Sequence, residues 1–245
     1  MQSSSPRIGI ISQARMTSTR LPGKVLQPIA GRPLLHYHVK RVLQSGLPLY
    51  LAVTTNAADD PLVEFALAAN LPFTRGNEHD VLSRYQQCAT QYNLDILVRV
   101  TSDCPLLDGA LIAQGVHDYV QQNDPRLYLS NVLHRTYPRG LDFEIFSREL
   151  VEEAALKATL DSDREHVTPY IHQNRSGKVR FQHVVLPQDH SQYRLTVDTA
   201  EDFLLIQQLI EQYQADTLST DSLISLLAQH PELVALNAHV EQKKV

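Results

Sequence analysis

The chain has few of the residues that mark several classes of protein. Its 245 residues include two cysteines, Cys88 and Cys104, and no tryptophan. Two cysteines alone make neither a disulfide framework nor a zinc site, so we expect a reduced, cytoplasmic setting. Nine glycines and thirteen prolines, scattered along the chain, exclude a fibrous or low-complexity protein.

Long apolar runs are also missing. No run approaches the roughly 20 residues that a membrane helix needs, and residues 1–7 lack the apolar centre of a signal peptide. An apolar share of 43% and a charged share of 20% instead fit a globular protein. We therefore expect no membrane partner and a single domain over residues 1–245, with its core at about 7–212 and carboxyl-terminal helices at 213–245.

Acidic residues are absent from the first quarter of the chain. Residues 1–58 hold seven Lys or Arg and no Asp or Glu, whereas residues 59–245 hold 15 basic and 27 acidic residues. The formal net charge of −5 therefore conceals a cationic amino-terminal region. This local excess predicts an anion site rather than a nucleic-acid partner, and a solvated basic face is the alternative.

Apolar runs of strand length alternate with helical periodicity up to about residue 125. The predicted strands are 8–13, 49–55, 71–74 and 96–101, and the predicted helices are 33–44, one from Asp60, 80–92 and 108–122. Beyond them we predict strands at 128–132, 141–146, 179–186 and 193–197, helices at 147–158 and 162–173, and helices from Ala200 onward. This order predicts an α/β fold: a three-layer, Rossmann-like nucleotide-binding sheet, mainly parallel, with helices on both faces and a small inserted β-hairpin region.

The loop after the first strand concentrates the early cations. Arg15, Arg20 and Lys24 lie among small hydroxyl residues, and open parallel sheets bind ligands beyond their carboxyl ends. Pro22-Gly23 predicts a turn that returns Lys24 to the same pocket. Such a loop suits a polyphosphate, although it matches neither the Walker pattern nor the dinucleotide-binding glycine pattern. The alternative is a mobile basic surface loop.

The string Ala14-Arg15-x-x-Ser18-x-Arg20-Leu21-Pro22-Gly23-Lys24 resembles the signature loop of the sugar-acid cytidylyltransferases, in particular their spore-coat polysaccharide (SpsF-like) branch. Further blocks of the resemblance follow in order at 54–56, 75–85, 99–106, 135–144, 162–170 and 196–202. The resemblance implies an enzyme in which a sugar-acid hydroxyl attacks the α-phosphate of CTP and pyrophosphate leaves.

A divalent metal and positive charge are what this chemistry requires. By the resemblance, Asp103 and Asp198 hold the metal, which we expect to be Mg²⁺, and Arg15 and Lys24 complete the predicted catalytic set. Each aspartate follows a predicted apolar strand, and Mg²⁺ prefers a few carboxylate oxygens. The alternatives are a turn for Asp103 and a helix cap for Asp198, although Thr199-x-x-Asp202 already supplies a capping box.

The nucleotide is expected to contact the first loop, the segment 75–84 and the first aspartate. The predicted contacts are Gln13, Ala14, Arg15, Ser18, Arg20, Lys24, Arg75, Asp80 and Asp103. Asp80 has the alternative role of capping the following helix, and Arg84 the alternative of a surface position.

The acidic sugar is expected to contact a polar set between residues 135 and 170. Its members are Arg139, Asp142, Glu144, Arg164, His166 and Tyr170. We choose Arg164 for the sugar carboxylate, because a guanidinium binds a carboxylate through two hydrogen bonds. The family string often has an acidic residue where this chain has Arg139. Ser162-x-x-Glu165 forms a capping-box pattern, which favours a structural role for Glu165.

Two other functions compete with the cytidylyltransferase hypothesis. A glycosyltransferase of the related fold places a D-x-D motif after a strand; Asp161-Ser162-Asp163 has these letters but is predicted to open a helix. A non-catalytic homologue is opposed by the complete set of cations and aspartates. Relatives often form dimers through an inserted hairpin, for which segments 126–146 and 176–187 are the candidates. We reject Cys104 as a nucleophile, since no His/Asp partner is apparent.

Overall fold

Residues 5–241, which the computed structural model describes, form nine β-strands. These are β1 (Ile8–Gln13), β2 (Pro28–Ile29), β3 (Arg32–Pro33), β4 (Leu49–Thr54), β5 (Phe73–Gly76), β6 (Ile96–Thr101), β7 (Leu127–Ser130), β8 (Glu144–Ser147) and β9 (Arg180–His183). Seven of them make the main sheet, in the order β5-β4-β1-β6-β8-β7-β9. Only β8 runs against its neighbours, so the predicted mainly parallel α/β sheet is confirmed.

Ten α-helices connect and cover these strands within the described range. They are α1 (Leu34–Leu43), α2 (Asp60–Ala68), α3 (Val81–Gln91), α4 (Gly109–Gln122), α5 (Arg148–Lys157), α6 (Asp161–His166), α7 (Pro169–His172), α8 (Ala200–Tyr213), α9 (Thr220–Gln229) and α10 (Pro231–Ala235). No helix among residues 5–241 combines the length and the apolar character needed to cross a membrane. The prediction that residues 1–7 form no signal peptide includes residues 1–4, and the predicted domain includes residues 242–245. These eight residues lie outside those that the structure describes.

Successive apolar side chains along the central strands point to opposite faces of the sheet, so a buried core forms on each face. Ile10 packs into one buried cluster with side chains of α1, α4 and α8, whereas its neighbour Ile11 packs into a second with α3 and α5. The same split separates Leu51 from Ala52 on β4. Strands covered on both faces are nearly continuously apolar, which is why their positions were readable in the sequence.

The prediction of a strand at 193–197 is wrong. This segment makes one isolated bridge, between Arg139 and Arg194. Leu195 and Val197 are fully buried, so their alternation serves core packing rather than a sheet ladder. Asp198 therefore follows an irregular extended segment and not a strand end.

Several other elements are shorter than predicted, including the strand at 179–186, which reduces to β9. Two of them have an evident cause. The strand at 141–146 reduces to β8, because the Asn131 side chain bonds the backbone of Leu141 and Phe143 where a neighbouring strand would stand. The helix at 162–173 breaks at Val167, whose φ of 72° is incompatible with a right-handed helix. Segments 126–146 and 176–187 contribute β7, β8 and β9 to the main sheet, and the small hairpin is instead β2–β3.

Candidate active site

The carboxyl ends of β1 and β6 open into a cavity of about 960 Å³. Gln13 and Thr101, the last residues of these strands, both line it. The lining holds seven Lys or Arg side chains and five Asp or Glu side chains. The cavity thus carries an excess of positive charge in a protein whose formal net charge is −5, which favours an anionic ligand.

Most of the predicted site residues meet at this cavity. Its lining includes Gln13, Ala14, Arg15, Ser18, Arg20, Lys24, Asp103, Arg139, Asp142, Glu144, His166 and Asp198. The residues come from the end of β1 with the first loop, the β6 loop, the 131–144 segment, α6 and the segment before α8. Only the tertiary fold places these five regions around one space.

Lys24 lies at the point where the two predicted metal ligands converge. Its ammonium nitrogen Nζ donates to Asp103 Oδ2 at 2.7 Å, to Asp198 Oδ1 at 2.9 Å and to the Val197 carbonyl at 2.6 Å. Gly23, at φ 69°, makes the turn that directs Lys24 inward, and its N–H donates to the Met16 carbonyl. All three ammonium protons are therefore used, and the side chain is 9% exposed.

Asp103 and Asp198 come together through the backbone. The Val197 N–H donates to the Asp103 carbonyl at 2.9 Å, which fixes the segment before α8 against the loop after β6. This bond brings the second aspartate to the end of β6 without a strand of its own.

Electrostatics keep this centre ionised. Burial alone would raise the pKa of Asp103, but the adjacent Lys24 ammonium outweighs it and lowers that pKa to about 2. Burial would likewise lower the pKa of Lys24, whereas Asp103 and Asp198 raise it. Both partners therefore stay charged at neutral pH.

Asp198 is held by two further cations. Its Oδ2 accepts from Arg20 at 2.9 Å and from Arg194 at 2.8 Å. Arg194 in turn bonds Asp202, the residue that completes the predicted capping box with Thr199 at the start of α8. The capping box thus leaves the Asp198 carboxylate to face the cavity.

Four predicted residues do not line the cavity. Arg75 turns to the Thr54 carbonyl at 2.8 Å and to Asp60 at 2.8 Å. Asp80 caps α3 through the Ser83 N–H at 3.0 Å and pairs with Arg164. The other two residues of the four are Arg164 and Tyr170.

Arg164 and Tyr170 are both committed to α5. The Arg164 guanidinium donates to the Ala155 carbonyl at 2.8 Å as well as pairing with Asp80, and the Tyr170 hydroxyl contacts Glu153 at 3.4 Å. These two side chains, which we predicted to bind the substrate, therefore contact α5 instead. The predicted ligand roles of all four residues have no geometric support at the cavity.

The two carboxylates of the predicted sugar-binding set, Asp142 and Glu144, both have cationic partners. Glu144 is buried, pairs with Arg99 and accepts hydrogen bonds from Tyr128 and, at 2.7 Å, from Thr168. Burial would raise the pKa of Glu144, but Arg99 outweighs it and lowers that pKa.

Asp142 has its own arginine. Arg135 binds it through two parallel hydrogen bonds, at 2.6 and 3.1 Å. Neither of the two predicted sugar-binding carboxylates is therefore an uncompensated anion.

Sequence reasoning missed several lining residues. Arg84 is 2% exposed and lines the cavity, so the surface alternative for it is wrong. Arg99, a cation within an otherwise apolar strand, was a signal that could have marked the site. Glu165 also lines the cavity, and α6 carries no side-chain cap, so the predicted capping box at Ser162 is wrong.

His166 lines the same wall of the cavity, and burial lowers its pKa. The Cys104 thiol is buried beside Thr101, and burial raises its pKa well above the usual range. A thiol kept protonated is a poor nucleophile, which agrees with the sequence argument against Cys104.

The chain is similar to known proteins over nearly its whole length. The family model described as cytidylyltransferase matches residues 8–245. The spore coat polysaccharide biosynthesis protein SpsF of Bacillus subtilis is 32% identical, over 91% of this chain and 94% of its own. A 3-deoxy-manno-octulosonate cytidylyltransferase of Solibacter usitatus is 32% identical over 63% of this chain and 57% of its own. A solved cytidylyltransferase structure from Leptospira borgpetersenii superposes with a TM-score of 0.88, at 31% identity, over 98% of this chain and 100% of its own.

Proposed function

The chain belongs to the cytidylyltransferase family and is a nucleotidyltransferase, and we propose that it activates an acidic sugar with CTP. The products are a CMP-sugar and pyrophosphate, and the sugar is of the nonulosonic or octulosonic type, for cell-surface polysaccharide biosynthesis. The observation that carries the proposal is the convergence of Lys24, Asp103 and Asp198 inside a cationic cavity.

The reaction is a displacement at phosphorus. The anomeric hydroxyl oxygen of the sugar forms a bond to the α-phosphorus of CTP. The bond from that phosphorus to its bridging oxygen breaks, pyrophosphate leaves with the electron pair, and the hydroxyl proton passes to solvent. Arg15, Arg20 and Lys24 lie where they can neutralise the charge that develops on the triphosphate.

Asp103 and Asp198 fit a divalent cation. One oxygen of each lies within 2.9 Å of a single positive centre, the Lys24 ammonium, so the pair already holds a cation between oxygen ligands. Oxygen donors of this kind suit Mg²⁺, which would polarise the α-phosphate when bound. With the metal held there, Lys24 would be free to donate to phosphate oxygens of the nucleotide.

The choice of a sugar acid rests on charge and on names of relatives. Arg139, a lining cation with no ion pair among residues 5–241, favours a negatively charged second substrate beside CTP. The Solibacter relative is named for 3-deoxy-manno-octulosonate, which is such an acid. Gln13 and Ala14, at the end of β1, are our candidates for contact with the cytosine base.

The D-x-D string on which the glycosyltransferase alternative depends lies away from the cavity lining. Asp163 of the Asp161-Ser162-Asp163 string is fully buried and pairs with Arg175, and the string lies in the short helix α6. None of the three residues lines the cavity, so the string offers no carboxylate to a metal there.

The test is a coupled pyrophosphate assay. The protein is incubated with CTP, Mg²⁺ and single acids, including 3-deoxy-manno-octulosonate and nine-carbon nonulosonic acids, and the CMP-sugar is identified by mass spectrometry. We expect pyrophosphate release that requires both CTP and one acid, and none with UTP or ATP. Release with no acid at all, or transfer from a supplied nucleotide sugar, would contradict the proposal.

A further inference from the structure

We infer that Arg139 binds the carboxylate of the acidic sugar beside the hydroxyl that reacts. The inference rests on the proposed function and assigns the carboxylate to a different residue from Arg164, which the sequence favoured. Arg164 lies outside the cavity lining and is committed to Asp80 and the Ala155 carbonyl.

Arg139 is a cation at the cavity whose own neighbours leave it uncompensated. Its side chain lines the cavity and is partly buried, yet it makes no hydrogen bond or ion pair with any residue from 5 to 241. Burial lowers its pKa and the nearby cations Arg135 and Arg194 lower it further, whereas the Asp142 carboxylate raises it without reversing the shift. A partly buried guanidinium in such surroundings gains strongly from an anionic partner.

The carboxylates nearest to Arg139 are occupied. Asp142 is bound through both oxygens by Arg135, at 2.6 and 3.1 Å. Asp198 is bound by Lys24 and by two arginines, all within 2.9 Å. Because no carboxylate among residues 5–241 pairs with Arg139, its guanidinium is available to an anionic group of a ligand.

The backbone holds Arg139 beside the segment that leads to Asp198. The Arg139 N–H donates to the Tyr193 carbonyl at 2.9 Å, and the Leu195 N–H donates to the Arg139 carbonyl at 2.7 Å. Gly140 makes this approach possible: a Cβ there would lie 2.5 Å from the Leu195 carbonyl carbon, and its φ is 95°. Arg139 is thus fixed between the Asp142 wall and the proposed metal-binding aspartate.

The chemistry of 2-keto-3-deoxy sugar acids places their carboxylate at the same location. In the ring form, the anomeric hydroxyl and the carboxylate are both attached to the anomeric carbon. When that hydroxyl reaches the α-phosphorus held near Asp103 and Asp198, the carboxylate lies a few ångströms away. A guanidinium at this distance binds it through two hydrogen bonds and orients the hydroxyl for attack.

The experiment compares Arg139→Gln, Arg139→Lys and Arg139→Asp with the unaltered enzyme, using the acid that supports pyrophosphate release. For Arg139→Gln we expect the KM for the sugar acid to rise on the order of 10- to 100-fold, with the KM for CTP changed less than about 2-fold. Arg139→Lys should recover part of the loss, and Arg139→Asp should lose most. An unchanged CTP KM shows that each variant is folded, and Arg148→Gln, at the start of α5 and outside the cavity lining, is the matched control.

A second readout separates carboxylate recognition from general positioning. The unaltered enzyme should prefer the acid to its uncharged C1 amide by a large factor, and Arg139→Gln should reduce that preference at least 10-fold. If the enzyme uses the acid but Arg139→Gln leaves its KM and this preference unchanged, the inference is overturned and the proposed function stands. If no acid supports turnover, both are overturned.

Discussion

The cavity has two ends that are built on different principles. At one end, Lys24, Asp103 and Asp198 form a closed set in which every charge already has a partner within 3 Å. At the other, Arg139 lies in the segment 131–143, which contains no helix or strand, and it has no such partner among the described residues. The charges of the first end are paired in the absence of a ligand, whereas we propose that Arg139 gains its partner from the substrate. The comparison separates the groups proposed for phosphate transfer from the group proposed for substrate choice.

The largest expected effect tests the preorganised end. Asp103→Asn removes one of the two carboxylates proposed for the metal, and we expect kcat to fall on the order of 10³-fold while the protein stays folded. Pyrophosphate release measures the activity, and circular dichroism the fold. Asp118→Asn, whose carboxylate accepts a hydrogen bond from Gln114 and does not line the cavity, is the matched control. Activity within a few-fold of the unaltered enzyme would refute the role of Asp103.

The second prediction asks whether Lys24 and the metal compete. Lys24→Met removes the ammonium that lies between the two carboxylates, so we expect Mn²⁺ to bind at least about 10-fold more tightly in the absence of nucleotide. Activity should fall on the order of 10²-fold, because the triphosphate loses a cation. Electron paramagnetic resonance of free Mn²⁺ measures the binding. Equal Mn²⁺ affinity in both proteins would show that Lys24 does not occupy the metal position.

Acid stability provides a third test of the same end. The pKa of Asp103 is depressed to about 2 in the folded protein, so its contribution to stability is present above its unfolded pKa and is lost as pH falls towards 2. The shift corresponds to roughly 2 kcal/mol. Between pH 4.5 and pH 2.5, the free energy of unfolding of the unaltered, metal-free protein should decrease more than that of Asp103→Asn. The two decreases should differ by at most about 2 kcal/mol. Parallel curves from urea titrations would contradict this account.

The smallest expected effect concerns the turn between α6 and α7. Val167 is fully buried at φ 72° and ψ −54°, and the Thr168 N–H closes a tight turn onto the His166 carbonyl at 2.8 Å. Since a residue with a Cβ is strained at this φ, Val167→Gly should be more stable than Val167→Ala by about 1 kcal/mol.

A matched site should give the opposite order. Val151, equally buried but inside α5, should be less stable as Gly than as Ala by about 1 kcal/mol. Thermal melts of the four variants suffice. The same order at both positions would show that the turn at Val167 stores no strain.

The outcome at particular residues shows what was predictable. The run Ile8–Gln13 and the turn at Pro22-Gly23 are local features, and both lie where the sequence indicated. We predicted Arg75 and Arg164 as ligand contacts because a guanidinium binds phosphate and carboxylate groups. In the structure they form ion pairs with Asp60 and Asp80 instead. The sequence shows which side chains are able to bind a ligand, but not which of them form ion pairs within the protein.

The sequence by itself determined the alternating α/β order, the cationic first loop and the set of groups able to bind a triphosphate and a metal, because these follow from hydrophobic period, turn chemistry and charge. Only the tertiary structure decided that Asp198 approaches Asp103 through the bond from the Val197 N–H, and that Arg139 rather than Arg164 faces the cavity. The physical reason is that both outcomes depend on contacts between segments far apart in the chain, where packing and competition for hydrogen-bond partners override local pattern.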